Sequence, residues 1–598
     1  MGRAEAAVSS LTPHACRVLE SRYLRRDAER RICETPEQLF ERVARAVAQA
    51  ELLLGTARQA AVWEAEFLNL LSSLDFLPNS PTLMNAGTPL GQLSACFVLP
   101  VGDSMESIFE ALKQMALVQR SGGGTGFSFS NLRPARDRVA STGGEASGPV
   151  SFLQIFDCAT EHIRHGGRRR GANMGVLRVD HPDIFEFIRA KADGRALRNF
   201  NLSVGVTDRF MRAAERGDSY VLTHPGTGKV VGSASAREVF EGIVKAAWQT
   251  GDPGLVFSNA LNRANPTPQL GRLEATNPCG EVPLLAHEAC TLGSINLAHM
   301  IRPDGRLACI DWERLRETAR KAVRFLDDVV EINRYPIPEI EQLSRGNRKI
   351  GLGVMGFAEM LINLGISYDS DEAVATADQV MACIAEASLG SSEELGRERG
   401  VFPHWSESMH AKDGRRVRNA TRTAIAPTGT IGILAGTSAG IEPLFALAYR
   451  RSHVLDGQVF EEVNPLLGAQ LRARGLDERR VLSAVIAQGT LEGVPGVPED
   501  IERLFVTALQ IPPERHLQVQ AAFQRHVDNA VSKTVNLPQT AGPEAIAEVY
   551  RRAWRLGLKG VTVYRYGSKA SQVLELGVAD EAYHFDHSAR CDPTECRL

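Results

Sequence analysis

Residues 277–281 read Asn-Pro-Cys-Gly-Glu, a pentapeptide with an amide, a thiol and a carboxylate at alternate positions. The proline keeps the residue before it out of the helical region, and the glycine lets the backbone approach another group closely. In an extended run, alternate side chains share a face, so we expect Asn277, Cys279 and Glu281 to point the same way. A thiol can supply a nucleophile or a radical, and a neighbouring carboxylate can take a proton. The alternative is a Pro-Gly turn with a buried cysteine.

Three other stretches extend this pattern along the chain. They are Cys290-Thr-Leu-Gly-Ser-Ile-Asn-Leu297, Pro78-Asn-Ser-Pro-Thr-Leu-Met-Asn-Ala-Gly87 leading into Ser94-Ala-Cys96, and Ala426-Pro-Thr-Gly-Thr-Ile-Gly432. Together with residues 277–281, which match the finger loop, these stretches resemble ribonucleotide reductases, in the family's order and over most of the chain. The resemblance is closest to the class II, adenosylcobalamin-dependent enzymes. Several matches in one sequence are more specific than any single one.

The composition excludes some classes of protein. A net charge of -3 over 598 residues provides no strongly basic face for nucleic acid. No run approaches ~18 uninterrupted apolar residues, and the first residues lack the apolar core of a signal peptide, so we expect no membrane association and a cytoplasmic location. The ten cysteines are expected to be reduced, and because no C-x-x-C pair is present we assign no metal ligands.

The first part of the chain reads as a small helical region. Thr35-Pro-Glu-Gln38 matches a capping box with proline at the first helical position, and Gly55 is a plausible end of that helix. This region is too short for the regulatory ATP-binding cone that many relatives carry at their start.

From about residue 76, short apolar runs alternate with longer amphipathic patterns. Residues 96–100 and 200–206 read as strands, and residues 107–119 and 311–333 read as helices. Such alternation predicts an α/β fold with a parallel or mixed sheet wrapped by helices. The resemblance implies more than the periodicity does, namely a ten-stranded α/β barrel with the finger loop threaded through its centre.

The predicted organisation therefore has three parts. Residues 1–75 form the N-terminal helical region, residues 76–566 form the catalytic barrel, and residues 567–598 form a flexible tail. The tail carries Cys591 and Cys596. The resemblance implies a mobile dithiol that re-reduces the active site and is itself reduced by a thioredoxin or glutaredoxin-like protein. The alternative is two incidental surface cysteines.

A phosphate site is predicted at residues 426–432, which precede a helical stretch of small residues. Backbone N–H groups at a helix start suit an anion, although an N-capped helix that binds nothing is the ordinary alternative. The resemblance implies a site for a ribonucleoside diphosphate substrate, although a triphosphate stays open. Ser80 matches a substrate-side hydroxyl, and Ala95 and Gly124 match positions that contribute backbone. The loop residues assigned to the diphosphate are Pro427, Thr428, Gly429, Thr430 and Ile431.

An effector site is predicted from the run Gly166-Gly-Arg-Arg-Arg-Gly-Ala-Asn-Met-Gly175. A charge run between glycines is usually a solvated loop. The resemblance implies instead that it couples a bound deoxynucleoside triphosphate (dNTP) effector to substrate choice at a dimer interface, so we expect a homodimer. Arginine suits such a role through its bidentate donors. The effector residues implied by resemblance are Asp103 on the deoxyribose, with Arg120, Arg133, Arg168, Arg169 and Arg170.

The resemblance also implies the chemistry. Homolysis in adenosylcobalamin yields a deoxyadenosyl radical, which oxidises Cys279 to a thiyl radical that takes the 3′-hydrogen of the ribose. Glu281 accepts the 3′-hydroxyl proton, and Asn277 holds the ribose hydroxyls. Cys96 and Cys290 supply two electrons and end as a disulfide, so the fold must bring their Cβ atoms to ~3.5–4.5 Å.

Two alternatives remain beside the class II interpretation. One is the same reduction with a metal-containing partner subunit that supplies the radical through two adjacent tyrosines. Thr562 and Val563 occupy those positions here, although Tyr564 lies next to them. A glycyl-radical motif is also missing from the tail. The other alternative is a nucleotide-sensing relative without activity, but a sensor needs no radical thiol.

Overall fold

The computed structural model describes residues 11–139, 143–165, 169–304, 307–451, 460–568 and 574–576. The chain forms two compact units. The larger comprises Met1–Pro443 with Leu509–Ala570, and the smaller comprises Leu444–Ala508 with Ser571–Leu598. Among the described residues, none of the helices is both long enough and apolar enough to cross a membrane.

The strands are short and lie along the whole chain. In sequence order they are β1 Phe76–Pro78, β2 Cys96–Leu99, β3 Gly124–Ser128, β4 Arg164–His165, β5 Arg169–Arg170, β6 Asn173–Arg178, β7 Phe200–Val206, β8 Ser219–Thr223, β9 Val230–Ser235, β10 Gly254–Phe257, β11 Ala275–Thr276, β12 Pro283–Leu284, β13 Glu288–Asn296, β14 Ile301–Asp304, β15 Leu307–Ile310, β16 Ile350–Met355, β17 Ala448–Arg451, β18 Phe460–Val463, β19 Thr534–Leu537, β20 Gly560–Arg565 and β21 Leu574–Leu576.

Helices connect most of these strands. The α-helices are Pro13–Arg22, Pro36–Leu54, Ala57–Ser72, Ser80–Asn85, Met105–Arg120, Gly148–His162, Ile184–Arg189, Asp208–Arg216, Ala236–Thr250, Ser258–Arg263, Trp312–Ile332, Pro338–Asn347, Phe357–Leu364, Asp371–Arg399, Met409–Lys412, Gly429–Ala435, Pro465–Ala473, Glu478–Gln488, Glu499–Leu504, Pro513–Gln524 and Pro543–Arg555. The last residues of the described chain before the tail belong to β20 and a following turn.

The N-terminal helices form as their capping signals predict. Thr35 and Gln38 make both reciprocal hydrogen bonds of a capping box, and the helix they start ends at Gly55. Its apolar face is buried, and in the larger unit it packs against the following helix and against Trp312–Ile332. The prediction of a small helical region before the barrel is confirmed.

Ten β segments of the larger unit form a ring. β13, β2, β3, β6, β7, β10, β20 and β19 are hydrogen-bonded in that order, and β16 pairs with β13. Bridges from Leu352 to Thr423 and from Ile425 to Val531 insert residues 423–425 between β16 and the chain leading to β19. The predicted α/β barrel of ten strands is therefore confirmed.

The ring consists of two parallel halves. β2, β3, β6, β7 and β10 run parallel to one another, and so do β20, β19, residues 423–425, β16 and β13. The halves meet antiparallel at β13 with β2 and at β10 with β20. The antiparallel contact of β13 with β2, called the seam from here on, places two cysteines opposite each other.

The finger loop fills the centre of this ring. β11 and β12 pair antiparallel as its stem, and apolar side chains from the stem pack with side chains from the barrel strands. This interior cluster consists of Cys96, Val98, Met174, Val176, Ala275, Val282, Leu284, Cys290, Leu292 and Ala424. Burying such groups supplies about 25 cal/mol per Å² of apolar surface, which holds the stem inside the barrel.

Glycines on β3 make room for the finger loop. A Cβ atom at Gly126 would lie 1.8 Å from the Thr276 carbonyl oxygen, and one at Gly124 would lie 2.9 Å from the Pro278 side chain. No other residue type allows this approach. Gly124 and Gly126 therefore let the backbone of the finger loop lie directly against β3.

Buried ion pairs join the N-terminal helices to the barrel helices. Arg399, 1% exposed, bonds Glu51 at 2.6 Å and Asp328 at 2.6 Å, and it lies 3.2 Å from Asp327. Burial raises the pKa of Asp328 well above its usual value, and Arg399 opposes that rise. Removing Arg399 would leave the buried Asp328 without its cation, while Glu51 keeps Arg324 and Asp327 keeps Arg348.

We expect Arg399→Leu to lower the free energy of unfolding by about 3–5 kcal/mol, because it breaks a buried ion cluster. Arg320→Leu is the matched control, since Arg320 pairs with Glu394 at half-exposed positions. That change should cost less than ~1 kcal/mol. Urea unfolding followed by far-UV circular dichroism measures both, and equal losses would contradict a special role for the buried cluster.

Candidate active site

The barrel seam sets two thiols opposite each other. Cys96 on β2 and Cys290 on β13 are cross-strand partners, and both are buried. The Cβ atoms of directly opposed residues lie about 4.5–5.5 Å apart, close to the separation that a disulfide needs. Each is a free cysteine in this structure. Residues separated by nearly two hundred positions thus come together through strand pairing alone.

The conformation of the pentapeptide differs from the predicted extended run. Residues 278–280 form a turn, in which the Gly280 N–H donates to the Asn277 carbonyl at 3.1 Å and Gly280 has a φ of 85°. The predicted extended run was wrong, because Pro278 and Gly280 turn the chain between β11 and β12, as in the alternative interpretation of this stretch. Asn277 and Glu281 are buried, whereas Cys279 is exposed at the tip.

Asn277 connects the turn to the thiol pair. Its Nδ2 donates to the Cys96 Sγ at 3.2 Å, and its Oδ1 accepts from the Val282 N–H at 2.9 Å. The side chain is 2% exposed, so both bonds form away from solvent. Asn277 therefore fixes the finger tip relative to the redox-capable cysteines.

Glu281 is a buried carboxyl group with unused acceptor capacity. Its Oε2 has no hydrogen-bond partner within the described structure, and the side chain is 2% exposed. Burial raises the pKa of Glu281 to about 7, although a hydrogen bond from Asn277 lowers it. A carboxyl group that titrates near neutral pH and has a free oxygen is suited to exchange a proton with a bound hydroxyl.

The three cysteines experience different surroundings. Burial raises the pKa of Cys96 well above its ordinary value, and the neighbouring Glu281, Cys290 and Cys279 raise it further. Burial likewise raises the pKa of Cys290, and Lys349 opposes this. Both buried thiols therefore stay protonated at neutral pH, while the exposed Cys279 thiol is open to an approaching group.

Asn201 is a site residue that sequence analysis missed. Its Nδ2 donates to the Pro278 carbonyl at 2.8 Å, and therefore holds the peptide that precedes Cys279. The signal was available, since Asn201 and Ser203 occupy alternate positions of a strand otherwise made of apolar residues and glycine. Polar groups on one face of a buried strand indicate a functional interior.

The predicted substrate residues lie on several elements. Ser80 begins the helix Ser80–Asn85, and its hydroxyl lies 2.7 Å from the Tyr23 hydroxyl. The Ala95 carbonyl accepts from the Gly124 N–H at 2.8 Å. Thr428, with φ 49°, precedes the helix Gly429–Ala435, and its Oγ1 accepts from the Gly440 N–H at 2.7 Å. No side chain caps this helix start, so the N–H groups of Gly429, Thr430 and Ile431 face outward from it.

The predicted effector residues are only partly described. Asp103 and Arg133 form an ion pair at 2.9 Å, and Arg120 ends the helix Met105–Arg120. Arg169 and Arg170 form β5, while Arg168 lies outside the described residues. The tail cysteines at positions 591 and 596 also lie outside them.

The tyrosine relay positions contain other residues. Thr562 and Val563 lie on β20, and Val563 is 1% exposed in the hydrophobic core. Tyr564 is half-buried on the same strand, and burial raises its pKa. This barrel strand offers no pair of adjacent phenols.

Comparison with known proteins places this geometry in a family. The family model described as "Ribonucleotide reductase, barrel domain" matches residues 94–564, and "Ribonucleotide reductase, all-alpha domain" matches residues 9–91. Relatives named vitamin B12-dependent ribonucleoside-diphosphate reductase occur in Mycobacterium tuberculosis and Thermoplasma acidophilum. The first is 54% identical, over 94% of this chain and 80% of the relative, and the second is 48% identical, over 95% and 81%.

A solved structure supports the fold. The class Id ribonucleotide reductase alpha subunit of Actinobacillus ureae superposes with a TM-score of 0.75 at 22% identity, covering 93% of this chain and 97% of that one. With the barrel, the finger loop and both family matches in place, the chain belongs to the ribonucleotide reductase family.

Proposed function

We propose that this chain reduces ribonucleoside diphosphates to deoxyribonucleotides with adenosylcobalamin as its cofactor, and so provides DNA precursors. The observation that carries the proposal is the meeting of Cys96, Cys290, Asn277 and Glu281 beneath an exposed Cys279. The relatives at 54% and 48% identity have names that give the same reaction and cofactor.

The site fits a cofactor that approaches from outside the buried pair. The thiol of Cys279 is exposed, whereas the two other thiols are enclosed. Adenosylcobalamin supplies the one-electron chemistry that no protein side chain can begin by itself. Asn201, exposed beside the tip, lies where a group that reacts with Cys279 would contact the barrel.

The proposed roles follow from the environments. Cys279 as a thiyl radical removes the 3′-hydrogen, and the free oxygen of Glu281 receives the 3′-hydroxyl proton. Asn277 holds the ribose hydroxyls and the pair of Cys96 and Cys290 supplies the reducing electrons. Because the pair is buried, its electrons reach the substrate without side reaction with solvent.

Substrate and effector sites complete the proposal. The uncapped start of Gly429–Ala435, with Pro427 and Thr428, binds the substrate diphosphate, and Ser80, Ala95 and Gly124 border the substrate. The effector, a deoxynucleoside triphosphate, binds at Asp103, Arg120 and Arg133 and the arginines of 168–170, in a homodimer. The proposed location is the cytoplasm, where thiols such as those of Cys96 and Cys290 are kept reduced.

The organisation of the chain is part of the same proposal. Residues 1–75 form a helical region, residues 76–566 the catalytic barrel and residues 567–598 a flexible tail. Cys591 and Cys596 in this tail act as a shuttle between the Cys96–Cys290 disulfide and a thioredoxin or glutaredoxin-like reductant.

We expect the purified chain to reduce a ribonucleoside diphosphate anaerobically when adenosylcobalamin and a dithiol are the sole additions. Deoxynucleotide formation is measured by chromatography for diphosphate and triphosphate substrates, with and without the cofactor. Cys279→Ser should remove all product while nucleotide binding stays near normal, since the thiol carries the radical. Activity that needs a second protein subunit, or that survives in Cys279→Ser, would overturn the proposal.

We expect the first-turnover rate to rise with pH through about 7, because Glu281 has a pKa of about 7 and accepts a proton as the carboxylate. Below that pH the group is protonated and its base function is lost. Rapid-quench measurements between pH 6 and 8.5 test this. Glu281→Gln should be slower by roughly 10²–10⁴-fold and should lack this rising limb. An unchanged limb in Glu281→Gln would assign it to another group.

We expect Cys591→Ser/Cys596→Ser to lose turnover with thioredoxin but keep much of it with dithiothreitol, since a small dithiol reaches the barrel directly. Steady-state rates with the two reductants give the comparison, and Cys33→Ser serves as a control for an exposed cysteine elsewhere. Equal loss with both reductants would reject the shuttle.

A further inference from the structure

We propose that Lys349 is a positioning residue that stabilises Cys290 as the leaving thiolate when the Cys96–Cys290 disulfide is re-reduced. The inference rests on the proposed function, in which that disulfide forms at each turnover. It assigns the two sulfurs different parts in reduction, with Cys96 attacked and Cys290 released.

Strand register places the lysine beside the cysteine. β13 and β16 are parallel and their first pair is Thr291 with Ile350, so Lys349 stands directly before β16, next to the end of this pairing. Its Nζ reaches the Oε2 of Glu288, which lies two residues before Cys290 on β13. Side chains alternate along each strand. A Cβ atom at Gly351 would lie 2.4 Å from the Leu292 side chain, which belongs to the interior cluster, so this position of β16 faces the barrel interior. Cys290, two residues before Leu292, therefore faces the interior with Cys96, and the Lys349 side chain extends along this face to Glu288.

The lysine is a buried cation held in place by a carboxylate. Lys349 is 1% exposed in its side chain, and its Nζ donates to the Glu288 Oε2 at 2.7 Å. Glu288 also accepts from Asn347 Nδ2 at 2.6 Å and from the Leu285 N–H at 2.9 Å. An ammonium has three N–H donors, so the bond to Glu288 leaves two that can donate to a thiolate forming at Cys290.

Lys349 differs in sign from the other charged groups near Cys290. The ionisable groups that act on Cys290 are Lys349, Glu288 and Glu281, and Cys96 and Tyr335 also face it. Among these described groups Lys349 is the single cation, and it lowers the pKa that burial raises. Lys349 also lines a small cavity whose other polar walls include Thr421, Asp528, Asn529 and Lys559.

Both sulfurs are buried, and the contact with the finger tip favours Cys96 as the sulfur that is attacked. Cys290 is fully enclosed, whereas Cys96 is 3% exposed and contacts the finger tip through Asn277. A thiolate from an external dithiol attacks the Cys96 sulfur and forms a mixed disulfide, and the electron pair of the broken S–S bond passes to Cys290. The second thiol of the dithiol then releases Cys96. Overall one disulfide and one dithiol become two cysteine thiols and an external disulfide, and the dithiol's two protons end on Cys96 and Cys290.

A cation beside the leaving sulfur accelerates this exchange, since a thiol of lower pKa leaves faster. The test measures that step directly. In a Cys591→Ser/Cys596→Ser background the Cys96–Cys290 disulfide is formed with diamide, without nucleotide or cobalamin, and dithiothreitol is added. Quenching with an alkylating agent and mass spectrometry of the two cysteine peptides gives the rate. A failure of the proposed function would therefore leave this rate measurable.

The main variant is Lys349→Met/Glu288→Gln, which removes the ion pair without leaving a lone buried charge. We expect its disulfide to be reduced about tenfold more slowly or worse. The control is Lys533→Met/Glu442→Gln, which removes a second lysine–glutamate pair, 2.6 Å apart, in which the lysine is buried and the glutamate side chain is 26% exposed. The control should be reduced within about twofold of the parent rate, since the cysteine pair keeps its cation.

Glu288→Gln alone separates charge from packing. It keeps Lys349, and the introduced amide oxygen can still accept from the lysine Nζ, so at pH 7 the disulfide should be reduced at the parent rate or faster. A purely structural role of the pair predicts instead the same loss as in the double variant. Reduction of Lys349→Met/Glu288→Gln at the parent rate, or equal slowing in Glu288→Gln, would overturn the proposal. If the double variant does not fold, the single variant still decides, because slowing there contradicts the proposed charge effect.

Discussion

The close approach of the finger loop to β3 is the constraint on which the site depends. The Thr276 carbonyl oxygen occupies the space where a Cβ of residue 126 would be, and Pro278 lies against Gly124 in the same way. Two backbones in direct contact leave little freedom for the loop between them. The position of the finger tip is therefore set by the register of the barrel, and the loop's own conformational preferences only shape the turn.

A second consequence of the barrel is that chemically identical groups acquire different properties. Cys96 and Cys290 are enclosed at an antiparallel seam, where burial keeps their thiols protonated. Cys279 stands outside that enclosure, one turn away on the finger. In the proposed function, burial thus keeps the two reducing thiols apart from the exposed thiol that would carry the radical.

Buried ion pairs stabilise the structure both around the barrel and inside it. A cluster of arginines and carboxylates, Arg399 among them, ties the N-terminal helices to the helices around the barrel. Inside the barrel the pair of Lys349 and Glu288 lies behind the thiol seam. Both clusters are almost inaccessible to solvent, so each charge depends on its partner, and loss of one member has consequences for the others.

Much of this molecule could be predicted before any coordinates. The capping box at Thr35, the helix of residues 312–332 and the strand of residues 200–206 follow from local signals that act over a few residues. The barrel itself came from resemblance, because a ring of strands depends on pairings between distant segments that periodicity does not encode. The local prediction for residues 277–281 was wrong, since the Pro-Gly pair turns the chain and an extended run would not.

By itself, then, the sequence determined the residue types of the site, the order of the elements and the turn-forming pair that ends the finger. Tertiary structure alone decided that Cys290 faces Cys96, that Lys349 pairs with Glu288 near them, that Asn201 holds the finger tip, and that Glu281 has a pKa near neutrality. The physical reason is the same in each case. Strand register and burial are set by contacts between residues far apart in the chain, and those contacts exist only once the barrel has closed.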